Sequence, residues 1–344
     1  MAYTGINKSG DYFNTKLYAG NGSTNAQTGV GFQPDLFWCK SRSNAENHTL
    51  IDAVRGVGYG IGSNTNAAQY GSTNFGSFDS DGFTWSGNLG SGNENGQTYA
   101  SWNWKANGAG SSNTDGSITS TVSANTTSGF SIVKFTGTGS LATVGHGLGS
   151  APKMIIMKNT NTTNGWEVYH QSLGNTDYIQ LNTTDISYSS ATRWNNTSPT
   201  NNVFTVNTEN GVNKSGSDLI AYCFAEKTGY SKFGKYTGNG STDGAFVYTG
   251  FKPAFVIIKN TSATEHWNMN DNKRDPFNVM SKRLYPSSAN NEVTDASYYM
   301  DYLSNGFKIR SNSSSWNSSG NTMIYMAFAE APLVGSNNVP CTAR

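Results

Sequence analysis

Apolar residues along this chain fall into short runs, or alternate with polar ones, between clusters rich in Gly, Asn, Asp and Ser. Alternation over four to eight residues is the period of a half-buried strand. Runs such as LFWC, MIIM and FVII are apolar on both faces, which predicts central buried strands. Pro34, Pro152 and Pro253 precede these runs, and proline is tolerated at the first residue of a strand. The pairs Asn-Gly, Asp-Gly and Ser-Gly that divide the runs predict tight turns.

The pattern occurs three times. LYAGNGSTNAQTGVGFQPDLFWCKSRS begins at Leu17, KFTGTGSLATVGHGLGSAPKMIIMKNT at Lys134, and KYTGNGSTDGAFVYTGFKPAFVIIKNT at Lys235. Paired glycines stand at Gly20/Gly22, Gly137/Gly139 and Gly238/Gly240, and Lys40, Lys158 and Lys259 close the apolar runs. Downstream, HTLID, WEVYH and WNMND occupy equivalent places. Strands with a leading Phe83, Phe204 or Phe307 follow, and then closing strands with Trp104, Phe224 and Phe328 in register. Such a repeat predicts one structural unit per copy.

The expected architecture is therefore all-β, with three tandem related β-sandwich or jelly-roll-like modules of about 100 residues. The expected boundaries are 1–107, 130–229 and 230–332, with a Gly/Ser/Thr-rich linker at 108–129 holding one short strand, SITSTV, and a polar tail at 333–344. Each module is expected to bury its own core.

Composition narrows the function. Charged residues make up 13% of the 344, against about 25% typically. With a net charge of +1, no global field draws nucleic acid or an acidic membrane. No run approaches the length of a membrane span, and the N-terminal stretch lacks the basic and apolar regions of a signal peptide. Cys39, Cys223 and Cys341 form no Cys-x-x-Cys and are expected to be free thiols.

Candidate chemistry is sparse. Gly137-Thr-Gly139-Ser-Leu-Ala142 formally matches a dinucleotide-binding G-x-G-x-x-A, but TVGHGLGSAP after it cannot open the helix that a pyrophosphate needs. The competing reading is a turn in which glycine supplies positive φ. Asp79-Ser80-Asp81-Gly82 resembles a fragment of a calcium loop without its remaining ligands, and reads as a turn. His48, His146, His170 and His266 lack metal-ligand spacing. Asp52 and Asp271 are equivalent, as are Glu226 and Glu330, but spacing pairs no carboxylates. Hence no catalytic, cofactor-binding or metal residue is assigned. Trp102 and Trp104 share one strand face, and Trp166 and Trp267 recur at one position; all four are expected in the core. Trp194 and Trp316 stand in Asn/Ser-rich stretches, where a ring either stacks on a sugar or protein or tucks under its own loop. Together with Tyr188 and Tyr299 they are the candidate ligand contacts.

The blocks GFQPDLFWCKSRS, ENHTLIDAVRG, TYASWNWKA, GLGSAPKMIIMKN, LIAYCFAEKTGYSKFGKYTGNGSTDG, DNKRDPFN and MIYMAFAEAPLVGSNNVP resemble a domain of virion structural proteins of marine tailed phages (cyanophage and pelagiphage types). The resemblance covers nearly the whole chain and carries no catalytic motif. It implies a non-enzymatic structural protein, tail-fibre-like or capsid-decorating, made in the host cytoplasm and exposed on the virion. The implied partners are other virion proteins of the tail, baseplate or capsid, further copies in a homo-oligomer such as a trimer, and a host surface glycan or receptor. A lectin-like receptor-recognition protein is the second reading, and a polysaccharide depolymerase the third.

Overall fold

The computed structural model describes residues 4–295 and 297–334. Almost all regular structure in it is β, with helix limited to single turns. Strands β1 (Phe13–Ala19), β2 (Leu36–Ser41), β3 (Thr49–Asp52) and β4 (Thr98–Trp104) form an antiparallel sheet in the order β1-β4-β2-β3. Strands β5 (Phe130–Thr136), β6 (Met154–Asn159), β7 (Trp166–His170) and β8 (Asp218–Phe224) take the order β5-β8-β6-β7. Strands β9 (Ser231–Thr237), β10 (Phe251–Asn260), β11 (Asn268–Asp271) and β12 (Thr322–Pro332) take the order β9-β12-β10-β11. The connectivity is the same in all three sheets. The register is also the same: Trp104, Phe224 and Phe328 face Leu36, Met154 and Phe255, which face Asp52, His170 and Asp271.

Each sheet is backed by a smaller one, giving sandwich-like layers. Asn25–Thr28 pairs with Gly82–Trp85, Ala142–Gly145 with Val203–Val206, and Phe246–Tyr248 with Gly306–Ile309. The expected buried runs are buried at every position in β2 and β6. Pro34 and Pro152 precede their strands; Pro253 lies inside β10, where the register shifts on both sides of it. That placement is one of the few a sheet allows for proline.

Two expectations change. The segment 108–129 holds a hairpin where a linker with one short strand was expected. Ser111–Asn113 and Ser120–Asn125 form a hairpin that adds to the edge of β5. The hydrophobic core is also not divided three ways. The largest cluster takes one face of all three sheets, including Trp38, Trp102 and Trp104, then Ile156, Tyr222 and Phe224, then Ile257, Met326 and Phe328. The opposite faces bury against the small sheets in three separate clusters, around Phe83, Phe204 and Phe307. Strand alternation explains both: successive side chains point to opposite faces, and both faces here are covered. Of the polar tail expected at 333–344, residues 335–344, with Cys341, lie outside the described residues. Cys39 and Cys223 are free and buried.

Trp104, Phe224 and Phe328 meet at the centre, with ring centroids 6.2, 6.0 and 5.7 Å apart around the triangle. Phe328→Ala is expected to cost about 3–5 kcal/mol. Urea unfolding of this variant, followed by tryptophan fluorescence and by circular dichroism, should still give one coincident transition.

Candidate functional site

The paired glycines end β1, β5 and β9, and each turn is held by one fully buried asparagine. Asn93, Asn213 and Asn317 accept the amide of Asn21, Thr138 and Asn239 on Oδ1, at 3.1, 2.8 and 3.0 Å. Their Nδ2 groups donate to the carbonyls of Ser23, Ser140 and Ser241 at 2.7, 2.6 and 2.7 Å. Their own carbonyls accept from Gly22, Gly139 and Gly240. A Cβ on Gly20, Gly137 or Gly238 would fall 2.2, 2.4 or 2.3 Å from a backbone oxygen, and the second glycine of each pair has φ near +70°. The amides that a phosphate would need already have partners, so the G-x-G segments are turns. The sequence marks these positions: Asn-x-x-Gly recurs at Asn93–Gly96, Asn213–Gly216 and Asn317–Gly320.

The other candidate polar residues join one sheet to the next, in rotation. Trp166 Nε1 donates to Gly62 O at 2.8 Å, and Trp267 Nε1 to Gln180 O at 2.9 Å; at the equivalent place His48 Nε2 meets Tyr285 O at 2.9 Å. The Trp38 indole donates to His48 Nδ1, which leaves the proton on Nε2 to donate to that carbonyl. Backbone bonds follow the same order, from Gln69 to Thr160, Ser187 to Thr261 and Glu292 to Arg42. At the other end of the strands, Asp52 accepts from Tyr222 at 2.9 Å, Asp271 accepts from Trp102 at 3.1 Å, and His170 Nε2 meets Tyr325 O at 3.1 Å. Asp52 and Asp271 are each clamped by the arginine three residues on, Arg55 at 2.6 Å and Arg274 at 2.5 Å. Contacts run from the first stretch to the second, the second to the third, and the third back to the first.

Burial shapes the titration of these groups. Desolvation pulls His48 down to about 3 and His170 to about 4, so both are neutral near pH 7. Lys40, Lys158 and Lys259 are fully buried, and each amine donates to two backbone carbonyls. Desolvation lowers all three to about 8.

The four aromatic candidates separate. Trp194 and Trp316 do not present their rings to solvent. Both lie on single helical turns with the ring in the core, Trp194 against Tyr169 and Trp316 against Tyr298. A large apolar face is worth more buried than exposed, so each polar stretch folds over its ring. Tyr188 is 46% exposed, and Tyr299 is half-buried. The structure does not gather the four into one site. Asp81 accepts the amides of Gly29 and Gly31, and Asp79 accepts the hydroxyls of Ser77 and Thr84. Among the described residues, no group of three or more His, Cys, Asp or Glu is placed to hold a metal ion, and no helix is long and apolar enough to cross a membrane.

Residues 8–332 match a domain of unknown function, DUF7483. The chain belongs to that family. The match runs from before β1 to the end of β12, so the family is defined on all three sheets together. No curated protein matches the chain.

Two outcomes test these assignments. Asn213→Ala should lower stability by about 2–3 kcal/mol, since it leaves buried amides and carbonyls without partners. Adding ATP should not raise the melting temperature of the wild type. For the lysines, folding disfavours the charged form, so the unfolded chain binds more protons between about pH 8 and the ordinary lysine value of about 10.4. Stability should therefore rise from pH 7 to about 8.5, above which the buried thiols of Cys39 and Cys223 and the buried tyrosines, all harder to ionise in the folded chain, oppose it. Lys158→Met should flatten the rise below about pH 8.5, as measured by urea unfolding across that range.

Proposed function

We propose that this chain is a non-enzymatic structural protein of a tailed-phage particle, a tail appendage or capsid-decorating component that mediates protein–protein assembly. In this reading its three repeats are tandem β-sandwich modules that close on one another as a ring. The observation that carries the proposal is where the chemically capable side chains lie. His48, His170, Asp52 and Asp271 are buried and bonded between sheets or to their clamping arginines. A side chain engaged in this way is suited to holding a shape rather than meeting a substrate. The block-by-block resemblance to phage structural proteins supports the same reading.

The ring also bears on oligomeric state. Appendages often gain stability from threefold contacts between chains. Here equivalent contacts are made within one chain, so a homo-oligomer would be an assembly of finished rings. Host attachment is the second reading, favoured by the exposed aromatic residues of the third repeat.

Deleting the gene should alter particle assembly or morphology, and antibody labelling should place the chain on the particle surface. Particles that assemble normally without it but fail to adsorb would support the attachment reading instead. Dilution should leave the purified chain folded, with a melting temperature independent of concentration.

A further inference from the structure

The three small sheets share their inner faces and differ outside. Inward, Phe83, Phe204 and Phe307 are fully buried. Outward, the first carries Ala26, Thr28, Ser77, Asp79 and Thr84, with Asp79 bonded to both hydroxyls beside it. The second carries Thr143 and Gly145, roofed by the segment around Asn113–Ile118, where Ser117 N donates to Thr143 Oγ1 at 2.9 Å. The third carries Phe246 and Tyr248 in the places of Ala26 and Thr28, and they are 46% and 54% exposed. The fold does not require aromatic residues there, since two copies do without them.

Register builds the rest of this face. Phe246, Lys308 and Asp301 form one row across the strands, and Tyr248, Gly306 and Leu303 the next. Beyond Met300–Leu303 runs the segment Phe277–Met280, tied on by the Met280–Met300 bridge and by bonds between the Asn278 side chain and the Tyr302 backbone. It adds Phe277 and Val279, which are 76% and 43% exposed. Gly306 lies between Tyr248 and Leu303 with no side chain, and its backbone is pressed so close to Val247 O that a Cβ would fall 2.1 Å from it. Two strand spacings separate Tyr248 from Leu303, about 10 Å. The result is a shallow trough floored by Gly306, with Tyr248 on one side and Leu303 on the other.

We propose that this trough is a binding site for a neutral oligosaccharide. Size argues against a protein occupant. Four strands of about four residues cover roughly 250 Å², against the ~800 Å² per partner that a stable protein interface buries. Charge argues for an uncharged ligand. The cations on this face are already paired, Lys308 with Asp243 at 2.6 Å and Arg310 with Asp301 at 3.5 Å. Flat rings two residues apart on one strand face offer stacking surfaces to the apolar faces of sugars, and the flanking charged groups and main chain offer hydrogen bonds to hydroxyls. The site stands on this sheet alone, so its failure would leave the structural role proposed above intact.

The test uses the purified full chain on an array of neutral, sialylated and sulfated glycans, followed by saturation-transfer NMR with maltotetraose, cellotetraose and mannotetraose. At least one neutral glycan should bind. The double variant Phe246→Ala/Tyr248→Thr should weaken binding at least tenfold with little change in melting temperature, because it installs the residues of the first repeat. Phe277→Ser, in a loop outside the core, provides a second variant and should also weaken binding. Tyr188→Ala and Tyr59→Ala should leave it unchanged. The proposal is overturned if no neutral glycan binds, if only charged glycans bind, if the variants bind as the wild type does, or if the double variant changes the oligomeric state in place of glycan binding.

Discussion

The contact on which the rest depends is the aromatic triangle of Trp104, Phe224 and Phe328. Each ring comes from the central strand of a different sheet, so none of the three sheets can bury its inner face alone. Without the other two, each sheet would leave one apolar face in water. Bringing three together buries Trp38, Trp102, Trp104, Trp166 and Trp267 in one cluster, the largest of the four. The chain thus does in cis what a trimer of smaller chains would do in trans.

Polar contacts then fix which sheet neighbours which. The rotation through Trp166, Trp267 and His48 uses the same place in each copy, and an imidazole substitutes for an indole because either can donate one N–H to a carbonyl. The clamp of Asp52 by Arg55 recurs as Asp271 with Arg274, while the second copy carries His170 with Leu173 at the arginine position. Removing one partner of such a pair would leave a buried charge, at a cost of about 3–5 kcal/mol. At the seam between third and first stretches Arg42 pairs with Glu292, which Arg274 of the third stretch also reaches.

Much of this fold was legible in the sequence, because strand period, turn glycines and repetition are local signals. The buried runs, the leading Phe of the later strands and the register of Trp104, Phe224 and Phe328 all correspond to observed strands and pairings. The shared core was not legible, since alternation says that a face is buried but not against what. Of the hairpin at Ser111–Asn125 only one strand was legible, because Ser111–Asn113 is short and wholly polar and is held by pairing to its neighbour. Trp194 and Trp316 misled for a related reason: polar neighbours mark a surface chain, but they say nothing about which way the ring turns. The face around Tyr248 was missed because its apolar residues come from strands far apart in sequence and meet only through register.

Native-state hydrogen exchange tests the shared core most directly. If β4, β8 and β12 are one cooperative unit, the slowest amides in all three should exchange only through global unfolding, with one common free energy equal to that from urea unfolding. Three distinct free energies, one for each strand, would contradict the account, because they would mean that each sheet holds its core without the others.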